Sequence, residues 1–395
     1  MQNHIFDIGQ GDPHGRLIEG VRMSAPIQES TSGDTPLIQL LTPDGLRVSD
    51  AAYSYDGDDD SIRSLYRDLF LVRRIDAEGH ALQRHGELGL WAPALGQEAA
   101  QIGSGRALSP QDFAFPTYRE HGVAWCRGVD PALLLGLFRG VELGGWDPAD
   151  KGFALYSIVI GAQTLHATGY AMGQALQGNV GHGDPERDVA TIVYFGDGAM
   201  SEGDVNEAFV WADVFHAPVV FFCQNNQYAI SAPLVRQTRV PLAQRAQGFG
   251  FPGLRVDGND VLACHAVTKA ALQKARDGEG PTLIEAYIYR MGAHTTSDDP
   301  TRYRDSSEVE EWKGKDPLAR VKLYLESGGT PAGFFEGLDD EAEELGRHLR
   351  EACKALPEPD LAALFDHVYV DGSPELEEQK AEYIAYRDSF EGSVA

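Results

Sequence analysis

The stretch YFGDGAMSEGD at residues 194–204 decides how this chain folds and where a ligand can bind. The residues leading into it are apolar or aromatic, which is typical of a buried strand, and Gly196, Asp197 and Gly198 follow at its end. The glycines allow a sharp turn and a close approach to a ligand, and a helix predicted near Glu202 turns its free N–H groups toward an anion. Ligands of open parallel sheets bind at the carboxyl ends of the strands. A carboxylate beside such a helix start therefore predicts a bridging divalent cation such as Mg²⁺.

The next apolar segment, VVFFCQNNQYAIS, supplies a second polar strand end at Asn225 and Asn226. Asn226 lies 29 positions after Asp197, and one strand–helix–strand step takes roughly 30 residues, so the two strand ends should be neighbours. The Asn226 side-chain oxygen and the Tyr228 carbonyl can then complete the shell of the cation. Taken alone, Gly-Asp-Gly is a common turn and the two asparagines are a strand exit. The matched spacing favours a site for a metal ion and a diphosphate.

Strands and helices alternate over residues 188–290. Apolar strands are predicted at 190–195, 218–223, near 254–256 and at 282–288, with helices at 203–215 and 260–277. The second helix opens with the capping pair Asn259-Asp260. This alternation predicts an α/β fold, a doubly wound and mostly parallel sheet that is covered by helices on both faces.

The composition divides the chain into three parts. Residues 1–60 are polar and rich in Gly, Pro, Ser and Asp, which predicts an extended N-terminal arm. A helix is predicted from Ser61, because apolar residues recur at helical spacing at Ile62, Leu65, Leu69, Val72 and Ile75. We expect an α/β domain at 61–305 and a charged helical C-terminal extension, packed on it, at 306–395.

Charge and cysteine content limit the class of protein. The net charge of −27 disfavours nucleic acid and anionic membranes as partners and suits a basic protein partner. No apolar run approaches the roughly 18 residues of a membrane span, and no secretory signal is visible, so we expect a cytoplasmic protein. The four cysteines lack CxxC spacing, which argues against a zinc site.

Five segments together resemble one enzyme family. They are FPTYREHG (115–122), YFGDGAMSEGD, FFCQNNQYAIS (221–231), RVDGNDV (255–261) and YRMGAHTTSDDPTRYR (289–304). In this order, over roughly residues 60–390, they are similar to the alpha subunit of the thiamine-diphosphate-dependent decarboxylating component of 2-oxo acid dehydrogenase complexes. The stretch AHTTSDDPTRYR resembles the branched-chain enzymes more closely than the pyruvate enzymes.

The resemblance implies the thiamine-diphosphate-binding fold and a role for each matched residue. Asp197, Asn226 and the Tyr228 carbonyl are the implied Mg²⁺ ligands. His294, at another predicted strand end, is the implied catalytic residue beside the cofactor, and an imidazole that titrates near neutrality suits that role. The implied cofactor-binding residues are Tyr118, Arg119, Ile158, Ile160, Gly196, Asp197, Gly198, Ala199, Gln224, Asn226, Tyr228 and His294. Gln224 stands where relatives often have Arg, so one diphosphate contact is expected to be missing.

The resemblance also implies partners. The cofactor's aminopyrimidine is activated in this family by a Glu on a second α/β domain, which must come from a beta subunit because this chain offers one such domain. The implied assembly is an α₂β₂ heterotetramer that decarboxylates a branched-chain 2-oxo acid and transfers the acyl group to lipoyl of an acyltransferase core. Pyruvate or acetoin dehydrogenase alpha subunits are the nearest alternative. A magnesium-dependent phosphohydrolase and a non-catalytic scaffold subunit are alternatives from other classes.

Overall fold

A central sheet of six parallel strands organises the computed structural model, which describes residues 35–142, 144–366 and 368–391. The described residues form eight strands, six in this sheet and two in a separate pair. They are β1 (Leu37–Ile38), β2 (Phe113–Phe115), β3 (Thr191–Gly196), β4 (Val219–Asn225), β5 (Tyr228–Ala229), β6 (Ala232–Pro233), β7 (Gly253–Asp257) and β8 (Thr282–Tyr287). The spatial order in the sheet is β1-β7-β8-β4-β3-β2, and β5 and β6 form a separate antiparallel pair. The predicted doubly wound, mostly parallel α/β fold is confirmed.

About half of the remaining described residues belong to α-helices. They are α1 (Asp59–Arg84), α2 (Glu98–Arg106), α3 (His121–Cys126), α4 (Pro131–Arg139), α5 (Pro148–Lys151), α6 (Ala162–Leu176), α7 (Gly203–Val214), α8 (Val261–Arg276), α9 (Ser306–Lys313), α10 (Pro317–Ser327), α11 (Ala332–Ala355) and α12 (Pro374–Glu391). Among the described residues, no helix is both long and apolar enough to span a membrane.

Helices cover the sheet on both faces, as β3 demonstrates. Ile192 and Tyr194 belong to one core cluster, together with buried residues of α1, α2 and α8. Val193 and Phe195 belong to a second cluster, with buried residues of α6 and α7. Because successive side chains of a strand point to opposite faces, the sheet lies between two helical layers. This double burial explains why β3 and β4 consist mostly of apolar residues.

Local sequence signals placed the main elements correctly. The predicted helix 260–277 corresponds to α8, whose N-cap Asp260 accepts hydrogen bonds from the backbone N–H groups of Leu262 and Ala263. α1 begins at Asp59, two residues before the predicted start, because the Asp58 side chain accepts from Ser61 N and caps the helix. The five apolar positions predicted to form its stripe are all buried.

Two strands of the six-stranded sheet were not predicted. β1 and β2 contain two and three residues, which is too short for a hydrophobic period to be read. β1 lies within the predicted N-terminal arm, of which residues 1–34 lie outside the described residues. The division of the chain at residues 60 and 305 stays a proposal.

The sheet register brings the two polar strand ends together. β3 and β4 are adjacent and parallel, and Gly196 pairs with Gln224. Asp197 and Asn226 therefore follow neighbouring strand ends, as the spacing of 29 residues predicted.

Candidate active site

A cavity lies at the carboxyl ends of β3 and β4. Its volume is about 920 Å³, which includes space that is open to solvent. All of the predicted site residues except Ile158 line it. Those residues are Tyr118, Arg119, Ile160, Gly196, Asp197, Gly198, Ala199, Gln224, Asn226, Tyr228 and His294. Ile158 does not line the cavity and is 62% exposed. Its predicted backbone contact with a cofactor stays a prediction.

The turn after β3 is a five-residue 3-10 helix at Asp197–Ser201, shortly before α7. A helix start was predicted near Glu202, and this residue is the N-cap of α7. A Cβ atom at Gly198 would lie 2.8 Å from the Cβ of Ala229 in β5, so this position has no room for a side chain. Gly198 thus allows β5 to lie against the turn.

Three oxygen atoms from two neighbouring strand ends lie close together, although no hydrogen bond joins them. The Asn226 Oδ1 atom lies 3.3 Å from Asp197 Oδ1 and 3.1 Å from the Tyr228 carbonyl oxygen. Both neighbours are acceptors, so none of the three can donate to another. Ligand oxygens of an octahedral Mg²⁺ lie about 3 Å apart when each is about 2.1 Å from the ion. A carboxylate, an amide oxygen and a carbonyl at these separations fit a small divalent cation.

The surroundings of Asp197 also suit a cation. Asp197 is 1% exposed, and burial raises the pKa of its carboxyl group to about 6. Gln237 Nε2 donates to Asp197 Oδ2 at 2.7 Å, which leaves Oδ1 facing Asn226. No cluster of three His, Cys, Asp or Glu side chains suited to a metal occurs among the described residues. A metal at this place therefore depends on amide and carbonyl oxygens in addition to one carboxylate.

The loop that carries the Tyr228 carbonyl adopts unusual backbone angles. Gln227 and Ile230, on either side of Tyr228 and Ala229, have φ angles of 70° and 56°. Non-glycine residues rarely adopt positive φ, and such strain is concentrated at functional sites. Gln227 is held by Asn225 Oδ1, which accepts from its backbone N–H, and by the Ile288 carbonyl, which accepts from its side chain.

Two buried guanidinium groups face the cavity. Arg119 is 5% exposed and donates to the carbonyls of Pro93 and His294. Arg290 is 1% exposed and donates to the carbonyls of Tyr228 and Ile230. Neither guanidinium has a carboxylate partner within the described part of the chain. Two buried cations without a protein anion make the cavity attractive to an anionic ligand.

Both guanidinium groups also approach the imidazole of His294. Arg119 Nη2 lies 3.3 Å and Arg290 Nη1 3.4 Å from His294 Nδ1. Guanidinium groups only donate, so Nδ1 is the acceptor and the proton of the neutral ring lies on Nε2. The expectation of an imidazole that titrates near neutrality is not met. Burial, followed by Arg119 and Arg290, lowers the pKa of His294 to about 4, and the ring is neutral at pH 7.

Gln224 lies in an internal hydrogen-bond chain. Its Nε2 donates to Glu120 Oε1 at 2.6 Å, and its Oε1 accepts from Gln101 Nε2 at 3.1 Å. Glu120 is 1% exposed, and burial raises the pKa of its carboxyl group. The amide at position 224 therefore connects two protein groups, and the missing diphosphate contact at this position stays a prediction.

Several cavity residues were not among the predicted site residues. They are Gln97, Thr117, Glu120, Ser157, Gln163, Glu202, Ala229, Ile230 and Arg290. Arg290 and Glu120 stand inside the quoted motifs, four positions before His294 and one after Arg119, and proximity to a matched residue was the signal available for them. Gln97 precedes α2, far from every strand end in sequence, and carried no comparable signal.

Comparisons with known proteins show which protein family the chain resembles. The sequence profile of the family described as "Dehydrogenase E1 component" matches residues 66–355. The chain is 44% identical over 355 residues to "3-methyl-2-oxobutanoate dehydrogenase subunit alpha" of Mycobacterium tuberculosis strain H37Rv, which covers 88% of this chain and 94% of that protein. It is 37% identical over 346 residues to "Pyruvate dehydrogenase E1 component subunit alpha" of Bacillus subtilis strain 168, which covers 86% of this chain and 90% of that protein.

Proposed function

Because the chain belongs to the dehydrogenase E1 component family, we propose that it is the alpha subunit of a branched-chain 2-oxo acid dehydrogenase. In this role it acts with a beta subunit in the oxidative decarboxylation of the oxo acid and the transfer of the acyl group to lipoyl. The observation that carries the proposal is the oxygen cluster of Asp197, Asn226 and Tyr228 in a cavity lined by two unpaired guanidinium groups. The higher identity to the 3-methyl-2-oxobutanoate enzyme than to the pyruvate enzymes favours a branched-chain substrate.

The residues present fit thiamine diphosphate and Mg²⁺. Asp197 Oδ1, Asn226 Oδ1 and the Tyr228 carbonyl would hold the metal ion. The turn at Gly198 and Ala199 and the Arg119 guanidinium would hold the diphosphate, since backbone N–H groups and a guanidinium both donate to phosphate oxygens. When bound, thiamine diphosphate supplies the electron sink that decarboxylation of a 2-oxo acid needs.

His294 is proposed as a hydrogen-bond donor to the substrate or lipoyl atom that gains negative charge during the reaction. Its Nδ1 is occupied by Arg119 and Arg290, so the proton of the ring lies on Nε2. The neutral imidazole keeps this proton, and its N–H stabilises the developing charge. The neighbouring guanidinium groups favour the carboxylate of an oxo acid and repel a second proton from the ring.

Exposed apolar residues beside the cavity support a beta subunit as the partner. Ile158, Val159 and Ile160 are 62%, 70% and 43% exposed, and Ile160 also lines the cavity. Such a patch at a cavity mouth is typical of a surface that another protein covers. We propose that the beta subunit packs here, completes the cofactor site and forms an α₂β₂ assembly. A lipoyl acyltransferase core and a cytoplasmic location remain parts of this proposal.

Pyruvate dehydrogenase is the second candidate, because proteins of that name are 36% to 37% identical to the chain. Of the alternatives outside this enzyme class, a phosphohydrolase does not agree with the family match. A non-catalytic scaffold would share the family but not the activity.

The test is reconstitution with the beta subunit. We expect turnover of 3-methyl-2-oxobutanoate and 4-methyl-2-oxopentanoate to exceed that of pyruvate in kcat/KM, by about 10- to 200-fold per methylene difference in an apolar pocket. A preference for pyruvate would remove the branched-chain assignment and keep the family. Turnover by the purified chain alone would contradict the two-subunit proposal. A correctly assembled, cofactor-loaded complex without turnover of any 2-oxo acid would support the scaffold alternative.

A further inference from the structure

The Gln97 side chain contacts the amide of a proposed metal ligand from behind. Gln97 is the N-cap residue of α2 and is 1% exposed. Its Oε1 accepts a hydrogen bond from Asn226 Nδ2 at 3.1 Å, across 129 positions of sequence. The Gln97 backbone is fixed, because its N–H donates to the Ala94 carbonyl and its own carbonyl accepts from Gln101 N. The side chain therefore contacts Asn226 from a backbone position that is fixed by hydrogen bonds.

An asparagine amide can present either its oxygen or its nitrogen to a given place, and only the oxygen binds a cation. With Asn226 reversed, the amide nitrogen would donate to Asp197 Oδ1 at 3.3 Å and to the Tyr228 carbonyl at 3.1 Å. The nitrogen of this reversed amide is satisfied without a metal ion and closes the cation site, but the amide oxygen would then face Gln97 Oε1, which is also an acceptor. The orientation that opens the site needs an acceptor for Nδ2, and Gln97 Oε1 supplies it.

The opposite end of the Gln97 amide has no competing contact. Gln97 Nε2 is buried and has no hydrogen-bond partner among the described residues. Reversal of Gln97 would turn this nitrogen toward Asn226 and favour the reversed, closed orientation of that amide as well. The two amides should therefore reverse together. In the open arrangement the Asn226 oxygen faces the cation site, and in the closed arrangement the Asn226 nitrogen does.

We propose that Gln97 is a positioning residue that holds the Asn226 oxygen toward the metal ion. The inference rests on the proposed function, because it assumes the cation site of Asp197, Asn226 and Tyr228. Groups that orient a metal ligand from behind change metal affinity by about 10- to 100-fold. Gln97→Met keeps the length of the side chain and removes both polar atoms, so it should weaken metal binding by that factor.

A double-mutant cycle separates orientation from packing. Mn²⁺ binding is measured by electron paramagnetic resonance on the assembled complex with its beta subunit, without thiamine diphosphate. Gln97→Met should weaken Mn²⁺ binding at least tenfold beside the natural Asn226. In an Asn226→Asp background it should change Mn²⁺ binding less than about threefold, because a carboxylate presents an oxygen in either orientation. Gln163→Met is the matched control, since Gln163 lines the same cavity but donates to the Tyr194 carbonyl.

The outcomes distinguish the two levels of proposal. An equal loss in both backgrounds, or no loss beside Asn226, would overturn the role of Gln97. Unchanged Mn²⁺ binding in Asp197→Ala would instead overturn the proposed metal site itself. If Gln97→Met does not fold, Gln97→Glu provides the test, because its carboxylate accepts from Asn226 Nδ2 but cannot donate. Retained Mn²⁺ affinity in Gln97→Glu supports the proposal, and a loss of tenfold or more contradicts it.

Discussion

Replacing Asp197 by Asn should remove metal-dependent cofactor binding and leave the chain folded. Asp197 is the one charged member of the oxygen cluster and is 1% exposed. In Asp197→Asn the new amide can accept from Gln237 Nε2 on one side and donate to Asn226 Oδ1 on the other. The cluster would then be satisfied by an internal hydrogen bond, which leaves no set of free oxygens for a cation.

The magnitude follows from the ligand set. Loss of a second-layer contact already costs about 10- to 100-fold in metal affinity, so loss of the only anionic ligand should cost about 100-fold or more. That factor corresponds to about 2.7 kcal/mol. At a Mg²⁺ concentration of about 100 times Kd, the bound metal stabilises the native protein by about 2.7 kcal/mol, and after a 100-fold loss by about 0.4 kcal/mol.

The assay measures thermal unfolding and calorimetric thiamine diphosphate binding on the complex with the beta subunit, with and without Mg²⁺. We expect the Mg²⁺-dependent rise in Tm to disappear in Asp197→Asn, while Tm without Mg²⁺ stays within a few degrees of the wild type. Asp204→Asn is the control, because it removes an exposed carboxylate from the first turn of α7. Unchanged Mg²⁺-dependent thiamine diphosphate affinity in Asp197→Asn would refute the metal site.

The remaining predictions concern His294 and a buried acid. His294→Ala should lower kcat for reductive acylation of lipoyl about 100-fold or more and change thiamine diphosphate affinity little, which single-turnover kinetics and calorimetry would measure; a fully active variant would contradict the role of His294. Asp76 accepts from Trp91 Nε1 and Ala94 N, and burial raises the pKa of its carboxyl group to about 6. A folded-state pKa above the unfolded value of about 3.9 means that its stabilising contribution is present below about pH 4 and is lost as the pH rises through 6. Asp76→Asn should therefore be more stable than the wild type by about 2 to 3 kcal/mol at pH 8 and comparable near pH 4, as denaturant unfolding can test; a difference independent of pH would rule this out.

The neutral His294 ring illustrates how tertiary contacts change a predicted role. From the sequence, an imidazole is expected to titrate near neutrality. The lowered pKa arises from burial, from Arg119, which lies 175 positions away in sequence, and from Arg290. Burial and the contact with Arg119 are not visible in the residues adjacent to His294.

The sequence by itself determined the α/β class, the four long strands and the meeting of Asp197 with Asn226. These features depend on local periodicity and on the length of one strand–helix–strand step, both of which are written in neighbouring residues. The apolar strands, the Gly-Asp-Gly turn and the asparagines at the next strand end were therefore sufficient to predict a ligand site at this edge of the sheet.

Only the tertiary structure decided which side chains surround the predicted ligands. Gln97 reaches Asn226 across 129 positions, and Gln237 reaches Asp197 across 40. The edge strands β1 and β2 likewise form because longer neighbours offer them hydrogen bonds. Such contacts depend on how distant segments pack, and packing between distant segments leaves no periodic pattern in the chain. The physical reason is that a hydrogen bond between distant residues depends on where the folded chain places them. The periodic pattern of a sequence indicates only which face of each helix or strand is buried.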